Sequence, residues 1–353
     1  MTEKEKNLLG KVKPIIFWHG FPACGLLLRK IADELKKNVV ICGTKMGTPE
    51  EIENLLGHSI IWFDNPNDIW ERRSEFSDRN LIIHSGWTFK GWRKYDRFMK
   101  KNFNAKVVVM TDNRYRGNLR QYIGAIWFRL FLKRPFDSAF VPGKEGWKLM
   151  KFLGLDASKI FTGLYGAYEG IYKEIVPIEK RKNEFLFVGQ LIKRKSIDIL
   201  IKAFCEYKRA GGNWNLKIIG DGPLKSICHG NGISREGFSQ PRVIAAKMNE
   251  AKVLVLVSRN DNWGTVVCEA AACGMHLITS KNVGATADIV ENGINGIIIK
   301  HIHENDLRNA FFAYENMSED QFRQGSKISK IITNRYNSEA FFKTFLKIAD
   351  NLI

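Results

Sequence analysis

A short apolar run, then a turn, then an amphipathic helical stretch recurs along almost the whole chain, and few folds accommodate this repeat. The apolar runs are continuous rather than alternating, as in strands that are covered on both faces in parallel α/β sheets. The predicted strands are Ile15–Trp18, Val39–Cys42, Ile60–Phe63, Leu81–Ile83, Val107–Met110, Ala139–Val141, Phe185–Val188, Leu216–Ile219, Val253–Val257, Leu277–Thr279 and Ile297–Ile299. The sequence therefore predicts an α/β protein built on parallel sheets.

The repeat is interrupted at residues 171–184, a charged stretch that contains Pro177 and has no sustained period, so we place a linker there. A length of 353 residues suits two domains. We expect an N-terminal Rossmann-like domain over 10–175 and a C-terminal one over 184–335. An apolar stripe from about Ser338 to Leu352 predicts a closing helix within 336–353.

Composition excludes several classes of protein. No uncharged apolar run reaches about 18 residues, so we expect no membrane-spanning helix. The charged residues 1–6 are not followed by the apolar core of a secretory signal. The six cysteines form no C-x-x-C pair, which favours buried thiols over disulfides or a zinc site. We interpret the chain as a cytoplasmic protein.

Cations follow the first strand of the second series. Gly189 precedes Lys193, Arg194 and Lys195, and Ser196 is a candidate cap for the next helix. Open α/β sheets bind ligands outside the carboxyl ends of their strands, where cations and a helix start suit a diphosphate. The alternative is a solvated basic loop.

A second helix start follows the strand that ends at Ser258. Asp261 and Gly264 lead into a helix on which Glu269 lies about 1.5 turns further along. A carboxylate there could accept hydrogen bonds from sugar hydroxyls, although the alternative is a capped core helix with one exposed glutamate. The N–H groups that would face an anion belong to Gly264, Thr265 and Val266.

The order of these motifs resembles the donor domain of retaining GT-B glycosyltransferases of family 4. The resemblance covers residues 185–300 and implies two Rossmann-like domains with parallel sheets facing across a cleft, with a last helix that crosses back to the first domain. The motifs that carry it are Phe187-Val188-Gly189, Lys195, Ile197–Phe204, Gly220-Asp221-Gly222-Pro223, residues 237–258, residues 261–274, Gly284, residues 288–290 and residues 292–296.

The resemblance also implies roles for individual residues. Gly189 lies in the loop that faces the sugar donor, and Arg194 and Lys195 match the basic pair that contacts its diphosphate. Glu269 matches the glutamate that binds the nucleotide ribose, and Asp261 stands where a glutamate near the donor sugar usually stands. Gln190 replaces a frequent arginine. No protein nucleophile is implied.

The N-terminal domain matches the family less closely. Gly20 and Gly25 follow the first strand, where members carry a glycine-rich loop at the cleft, so Gly20 is a candidate to contact the sugar donor. His84 ends a strand where members often have a histidine near the donor sugar, and we name it with Asp261 as a candidate catalytic residue; His19 is the other histidine considered. The alternative for His84 is a structural residue.

The resemblance implies transfer of a glycosyl group, with retention, from a nucleotide sugar to a hydroxyl of a glycan or lipid-linked acceptor in cell-envelope or exopolysaccharide synthesis. The chain contains no Asp-x-Asp, the usual metal–diphosphate motif of GT-A enzymes, so we expect no metal. Cations and helix starts would then stabilise the leaving diphosphate. No cofactor is expected, since the nucleotide sugar is a substrate.

Residues 90–134 carry +11 of the net charge of +18. Residues 90–134 hold thirteen Lys and Arg against two Asp, with many aromatic residues from Trp87 onward. This composition favours peripheral contact of residues 87–134 with an anionic membrane, on the inner face of the cell membrane. The alternative for Trp127, Phe128 and Phe131 is the protein core.

Two other functions fit parts of the sequence. A nucleotide-sugar epimerase of the same architecture would keep the donor-domain motifs but need no acceptor. Binding of single-stranded nucleic acid would use the cationic and aromatic residues, but it would leave the donor-domain motifs unexplained, and no nucleic-acid partner is expected.

Overall fold

The computed structural model describes residues 1–20, 23–44 and 49–353. The chain forms two units, the first comprising residues 1–165 and 338–353 and the second residues 166–337. Phe21 and Pro22, which lie between Gly20 and Gly25 after the first predicted strand, are outside the described residues.

The first unit is built on a seven-stranded sheet in which every pair of neighbouring strands is parallel. The strand order is β3-β2-β1-β4-β5-β6-β7. The strands are β1 (Pro14–Trp18), β2 (Val40–Thr44), β3 (Ile61–Phe63), β4 (Leu81–Ser85), β5 (Lys106–Met110), β6 (Ser138–Val141) and β7 (Ile160–Thr162).

Helices of the first unit alternate with these strands. Trp92 and Tyr95 lie fully buried on α4, where they pack against the core residues of the sheet such as Phe17. The helices are α1 (Glu3–Lys11), α2 (Arg29–Leu35), α3 (Pro49–Leu56), α4 (Lys90–Phe103), α5 (Leu119–Trp127) and α6 (Lys144–Phe152).

The second unit has a six-stranded parallel sheet in the order β10-β9-β8-β11-β12-β13. Its strands are β8 (Lys182–Val188), β9 (Asn215–Ile219), β10 (Ile233–Glu236), β11 (Ala251–Leu256), β12 (His276–Ser280) and β13 (Gly296–Ile299). Its helices are α7 (Ile197–Arg209), α8 (Pro241–Glu250), α9 (Thr265–Ala272), α10 (Thr286–Ile289), α11 (Glu304–Glu315) and α12 (Glu319–Thr333).

The last helix, α13 (Ser338–Leu352), belongs to the first unit although it follows the second in the chain. Its buried face includes Phe341, whose ring lies 5.1 Å from that of Phe140 on β6. Glu339 forms an ion pair with Lys30 on α2. The apolar stripe of this helix is therefore buried against the sheet and helices of the first unit.

The predicted fold class is confirmed, since both units are Rossmann-like arrangements of a parallel sheet and helices. Two strands that we did not predict, β7 and β10, lie at sheet edges. β7 has only three residues, and β10 carries polar side chains, so neither forms a continuous apolar run.

The units divide between Tyr165 and Gly166, ahead of the linker expected at 171–184. That segment belongs to the second unit because Arg181 is buried there and donates hydrogen bonds to the carbonyls of Val176 (2.8 Å) and Cys273 (2.6 Å). The charged composition of residues 171–184 predicted a linker. In the structure, Arg181 is buried and donates hydrogen bonds to backbone carbonyls, so this part of the segment is fixed within the second unit.

Candidate active site

The two predicted motifs of the second unit meet at one edge of its sheet. β8 lies between β9 and β11, so the connections that leave β8 and β11 depart in opposite directions at the carboxyl ends of adjacent strands. Open α/β sheets bind ligands at this kind of switch point. The structure thereby brings residues 189–196 next to residues 258–264.

Lys195 and Asp261 form an ion pair at this edge, and each side chain is only 12 % exposed. The Arg194 guanidinium donates a hydrogen bond to the carbonyl of Asn260 at 3.0 Å and lies 3.7 Å from the Asp261 carboxylate. Two cations and one carboxylate therefore form a cluster with a net positive charge. Asp261 contacts the predicted phosphate ligands, which sequence spacing did not reveal.

Arg259, which the sequence analysis did not consider, holds the two loops together. Its backbone N–H donates to the Arg194 carbonyl at 2.9 Å, and its guanidinium makes two hydrogen bonds with Asp198 on α7, at 3.0 and 2.9 Å. This bidentate contact lowers the pKa of Asp198. The backbone at Arg194 is therefore held by a neighbouring arginine whose guanidinium binds Asp198.

The loop after β9 packs closely against the loop after β8, and this close approach requires glycine. Gly220 has a φ of +150°, and a Cβ at this position would lie 1.9 Å from the Gly189 carbonyl oxygen. The Leu191 N–H donates to the Asp221 carbonyl at 2.9 Å. The motif Gly220-Asp221-Gly222-Pro223 therefore shapes the phosphate-side loop by close backbone contact.

Helix α9 begins at the same edge. Gly264, its N-cap, has a φ of +85°, and a Cβ there would lie 2.7 Å from a methyl of Val283. Both facts require glycine. The first N–H groups of the helix, at Thr265 and Val266, have no acceptor within the helix, so this end can meet an anion. Ser196 is the N-cap of α7 as predicted, but its side chain makes no capping hydrogen bond.

Glu269 is buried on α9 and only 9 % exposed, so the alternative of an exposed glutamate on a core helix is wrong. Burial raises the pKa of its carboxyl from 4.5 to about 7, and a hydrogen bond with Tyr172 partly offsets this rise. The group therefore titrates near neutral pH. Buried carboxylates of this kind accept hydrogen bonds strongly when a ligand supplies donors, which suits a diol.

In the first unit, His84 is fully buried on β4. Its Nε2 lies 3.1 Å from the Asp96 carboxylate on α4, and its ring stacks on Trp92 at 5.0 Å. A side chain without solvent access cannot touch a substrate, so His84 is a core residue and its proposed catalytic role is not supported. The sequence did not show that position 84 faces α4 rather than the end of the sheet.

His19 is the exposed histidine at a comparable strand end. It follows β1, and its Nδ1 lies 3.0 Å from the Thr44 hydroxyl, which also accepts a hydrogen bond from the Gly20 N–H at 2.7 Å. The His19 N–H donates to the Ser85 hydroxyl at 2.8 Å. A cavity of about 280 Å³ lies at the carboxyl ends of β1, β4 and β5, and the residues that line it include His19, Ser85, Asp112, Asn113 and also Tyr165, which follows β7.

The basic and aromatic segment 87–134 divides into two parts. Trp92 and Tyr95 of α4 are core residues, and Phe128 is also buried. Trp127 and Phe131, by contrast, are 58 % and 53 % exposed. Within the described parts of the chain, no helix has the length and hydropathy to cross a membrane.

Comparison with known proteins finds a family model that resembles most of the second unit. Residues 170–329 match the family model described as glycosyl transferases group 1. An uncharacterized glycosyltransferase of Methanocaldococcus jannaschii is 32 % identical over 162 residues, or 43 % of this chain and 44 % of that protein. The alpha-monoglucosyldiacylglycerol synthase of Acholeplasma laidlawii is 26 % identical over 174 residues, or 46 % of this chain and 43 % of that protein. These alignments span less than half of each relative.

Solved structures match nearly the whole chain. Anabaena HepE in complex with UDP and glucose superposes with a TM-score of 0.75 at 13 % identity, covering 96 % of this chain and all of that one. At this identity the likeness shows the fold alone. The fold is GT-B, with two Rossmann-like units on parallel sheets.

Proposed function

We propose that this chain is a retaining glycosyltransferase that moves a sugar from a nucleotide sugar to a hydroxyl of a glycan or lipid-linked acceptor. The observation that carries the proposal is the switch-point cluster of Arg194 and Lys195 beside the start of α9, with a buried carboxyl one turn into that helix. The cluster lies within the stretch that matches glycosyl transferases group 1.

The chemical requirement is stabilisation of a leaving group. The bond between the anomeric carbon and the phosphate oxygen breaks, a bond to the acceptor oxygen forms, and the acceptor loses its proton. The nucleoside diphosphate then departs with an added negative charge. Fixed cations and helix N–H groups lower the cost of that charge, and Arg194, Lys195 and the first turn of α9 supply them without a divalent ion.

The Asp261 carboxylate lies close to both Arg194 and Lys195. This carboxylate holds Lys195, so a bound diphosphate competes with Asp261 for the ammonium. Arg194 is more exposed, at 42 %, and its guanidinium can reach a phosphate while staying near Asn260. We therefore assign Arg194 to the first contact with the diphosphate, Lys195 to a second contact that forms when the diphosphate displaces Asp261, and Asp261 to the donor sugar.

Glu269 would bind the ribose of the nucleotide. Two ribose hydroxyls can donate to one carboxylate, and the ionised form accepts them best. Because its pKa is about 7 without ligand, binding at neutral pH draws the carboxyl into its ionised form. Affinity for the nucleotide should therefore decline as the pH falls below 7.

The first unit would bind the acceptor. Its cavity at the ends of β1, β4 and β5 carries His19 and Asp112, groups that can accept or donate hydrogen bonds to a hydroxyl. The Acholeplasma relative is named as a synthase of a glycolipid. A cytoplasmic enzyme of cell-envelope or polysaccharide synthesis, in peripheral contact with a membrane, accords with the basic surface of this unit.

A thermal-shift screen against UDP, GDP and their sugars tests the proposal. We expect one nucleotide to raise the melting temperature of the wild type and of Arg242→Ala, an exposed arginine on α8, but not of Arg194→Ala or Glu269→Ala. The same response in all four proteins would contradict the assignment of the site.

Product analysis then separates the alternatives. A transferase changes the sugar only when an acceptor is present, whereas an epimerase converts the nucleotide sugar alone. Activity that persists in EDTA supports a metal-independent step, and an unchanged anomeric configuration in the product supports retention. Steep salt-dependent binding of RNA without any response to nucleotides would favour the nucleic-acid alternative.

A further inference from the structure

Helix α5 and the turn after it present an apolar face to solvent. Seven large side chains there are between 49 % and 75 % exposed, and they recur at spacings of three and four that place them along one side of a helix. We call them the apolar stripe: Leu119, Tyr122, Ile123, Ile126, Trp127, Leu130 and Phe131.

The opposite side of the same helix is anchored in the first unit. Ala125 and Phe128 are buried, and the Phe128 ring meets that of Trp87 at 5.1 Å. The Arg129 guanidinium donates to the Phe152 carbonyl at 2.6 Å. The orientation of the helix is thus fixed by core contacts, and the apolar stripe faces outward as a consequence of packing. A continuous exposed stripe of this size marks an interaction surface.

The sequence around the stripe is strongly cationic. Residues 113–134 contain six Lys and Arg and no Asp or Glu. An apolar face flanked by cations complements an anionic lipid surface, because the side chains enter the headgroup region while the charges remain at the phosphates.

A pocket of about 420 Å³ opens between α5, the loop before it and α6. Gln121 orders that loop: its side-chain oxygen accepts from the Arg116 N–H at 2.7 Å, and its side-chain nitrogen donates to the Arg114 carbonyl at 2.7 Å. We call it the arginine pocket; residues that line it include Trp87, Arg114, Arg116, Arg120, Trp127 and Leu149.

Position links this pocket to the acceptor side of the first unit. Asn113 lines both the arginine pocket and the cavity that contains His19. Trp127 belongs both to the arginine pocket and to the apolar stripe. A molecule with an apolar tail, a phosphate and a hydroxyl-bearing head would meet these three regions in that order.

We propose that the apolar stripe lies in the surface of an anionic membrane and that the arginine pocket holds the phosphate of a lipid headgroup, which presents the hydroxyl to be glycosylated. Guanidinium groups suit phosphate because they donate paired hydrogen bonds. The proposal rests on the proposed function for the role of the lipid as acceptor, whereas membrane binding does not depend on it.

Charge argues against a second copy of the chain as the occupant. A symmetric dimer through the stripe would bring two sets of six cations together without any carboxylate from residues 113–134 to neutralise them. A bilayer of anionic lipid supplies the opposite charge along the whole length of the stripe.

Vesicle sedimentation of the full chain tests the apolar stripe. We expect the wild type to bind vesicles of equimolar phosphatidylcholine and phosphatidylglycerol, and not vesicles of phosphatidylcholine alone. Ile123→Ser with Ile126→Ser should reduce binding by roughly tenfold or more per side chain. The matched control is Ile175→Ser with Ile331→Ser, two exposed isoleucines of the second unit, which should bind as the wild type does.

Three results would overturn this part of the proposal. The first is equal binding to neutral and anionic vesicles, and the second is equal binding by the stripe variant and the wild type. The third is a dimer in lipid-free solution that the stripe variant converts to a monomer, since the stripe would then be covered by a second copy.

Calorimetry with soluble dihexanoyl phosphatidic acid tests the arginine pocket without a bilayer. Arg120→Gln removes a cation that lines the pocket, and Arg134→Gln removes an exposed cation of the same segment that does not. We expect the first change to weaken binding by roughly tenfold and the second to leave it unchanged. Equal effects of the two variants, or no effect of either, would refute a phosphate site in the pocket.

Nucleotide binding by the same variants keeps the two proposals distinguishable. Each variant of the first unit should still respond to the nucleotide found in the thermal-shift screen. A response to nucleotide without vesicle or lipid binding would refute this inference and leave the transferase proposal standing. Lipid binding without any response to nucleotide would refute the lipid's role as an acceptor and leave membrane attachment supported.

Discussion

Replacing the buried carboxyl Glu269 with glutamine should stabilise the unliganded protein, and more so at high pH. The carboxyl has a pKa of about 7 in the folded chain against 4.5 ordinarily, because burial disfavours its charge. One pKa unit corresponds to about 1.4 kcal/mol, so the ionised group costs the fold roughly 3 kcal/mol above pH 7. Glutamine keeps the shape, can accept a hydrogen bond from Tyr172 and carries no charge.

The direction of this pH dependence follows from the number of protons that Glu269 binds in the folded and in the unfolded chain. Between pH 4.5 and 7 the folded chain holds a proton at Glu269 that the unfolded chain has lost, so stability falls as the pH rises through this window. At pH 5.5 most of the cost is absent because the folded carboxyl is neutral. We therefore expect the stabilisation by Glu269→Gln to be about 2 kcal/mol larger at pH 8.5 than at pH 5.5.

Urea unfolding of the wild type and of Glu269→Gln at pH 5.5 and pH 8.5 measures this difference in the free energy of unfolding. Glu291→Gln, which changes an exposed glutamate of the same unit, is the control and should show no comparable pH dependence. An equal effect of Glu269→Gln at pH 5.5 and pH 8.5 would show that burial does not raise the pKa of this carboxyl. If Glu269→Gln is more stable than the wild type but its melting temperature no longer responds to the nucleotide, the carboxyl of Glu269 serves ligand binding rather than stability.

Three further substitutions probe the two units. Lys195→Ala should raise the dissociation constant of the nucleoside diphosphate by about tenfold to a hundredfold, measured by calorimetry, since it removes a charge-assisted contact. Gly220→Ala should lower both the melting temperature and nucleotide affinity, because the added methyl would meet the Gly189 carbonyl, while Gly237→Ala, with open space around it, should do neither. His84→Ala should lower the melting temperature and leave kcat unchanged, since the Asp96 carboxylate loses its buried partner; a large fall in kcat at unchanged stability would restore the catalytic assignment.

The fold could be predicted because its signal is local. A strand buried on both faces requires consecutive apolar residues, and runs such as Val253–Val257 provide them whatever the remaining chain does. Edge strands lack this requirement, so β10 with its polar residues left no signal. The division at residue 165 was missed for a similar reason, because Arg181 looks like a surface residue until its backbone partners are known.

The sequence predicted the position of each loop of the candidate site, but not the contacts between the loops. Motifs after β8 and β11 were located by their position behind apolar runs, and the parallel sheet places such positions at one edge. Which side chains meet across that edge depends on contacts between residues about sixty positions apart, as in Arg259 with Asp198. For His84, the sequence located the end of the strand but not the face to which the side chain points. The structure buries this side chain against Asp96 on α4.

The ion pair of Lys195 with Asp261 changes how the charge of this site should be understood. From the sequence alone, the lysine is expected to bind a diphosphate and the aspartate a sugar, whereas in the structure the two side chains form an ion pair with each other. Charged groups are costly to bury without a partner, so the ion pair lowers the cost of placing both side chains at this largely buried edge. Under the proposed function, a diphosphate that binds the lysine deprives Asp261 of its partner, and the hydroxyls of the donor sugar would supply new hydrogen-bond donors. Under the proposed function, binding of the phosphate and orientation of the sugar would thereby be coupled through one carboxylate.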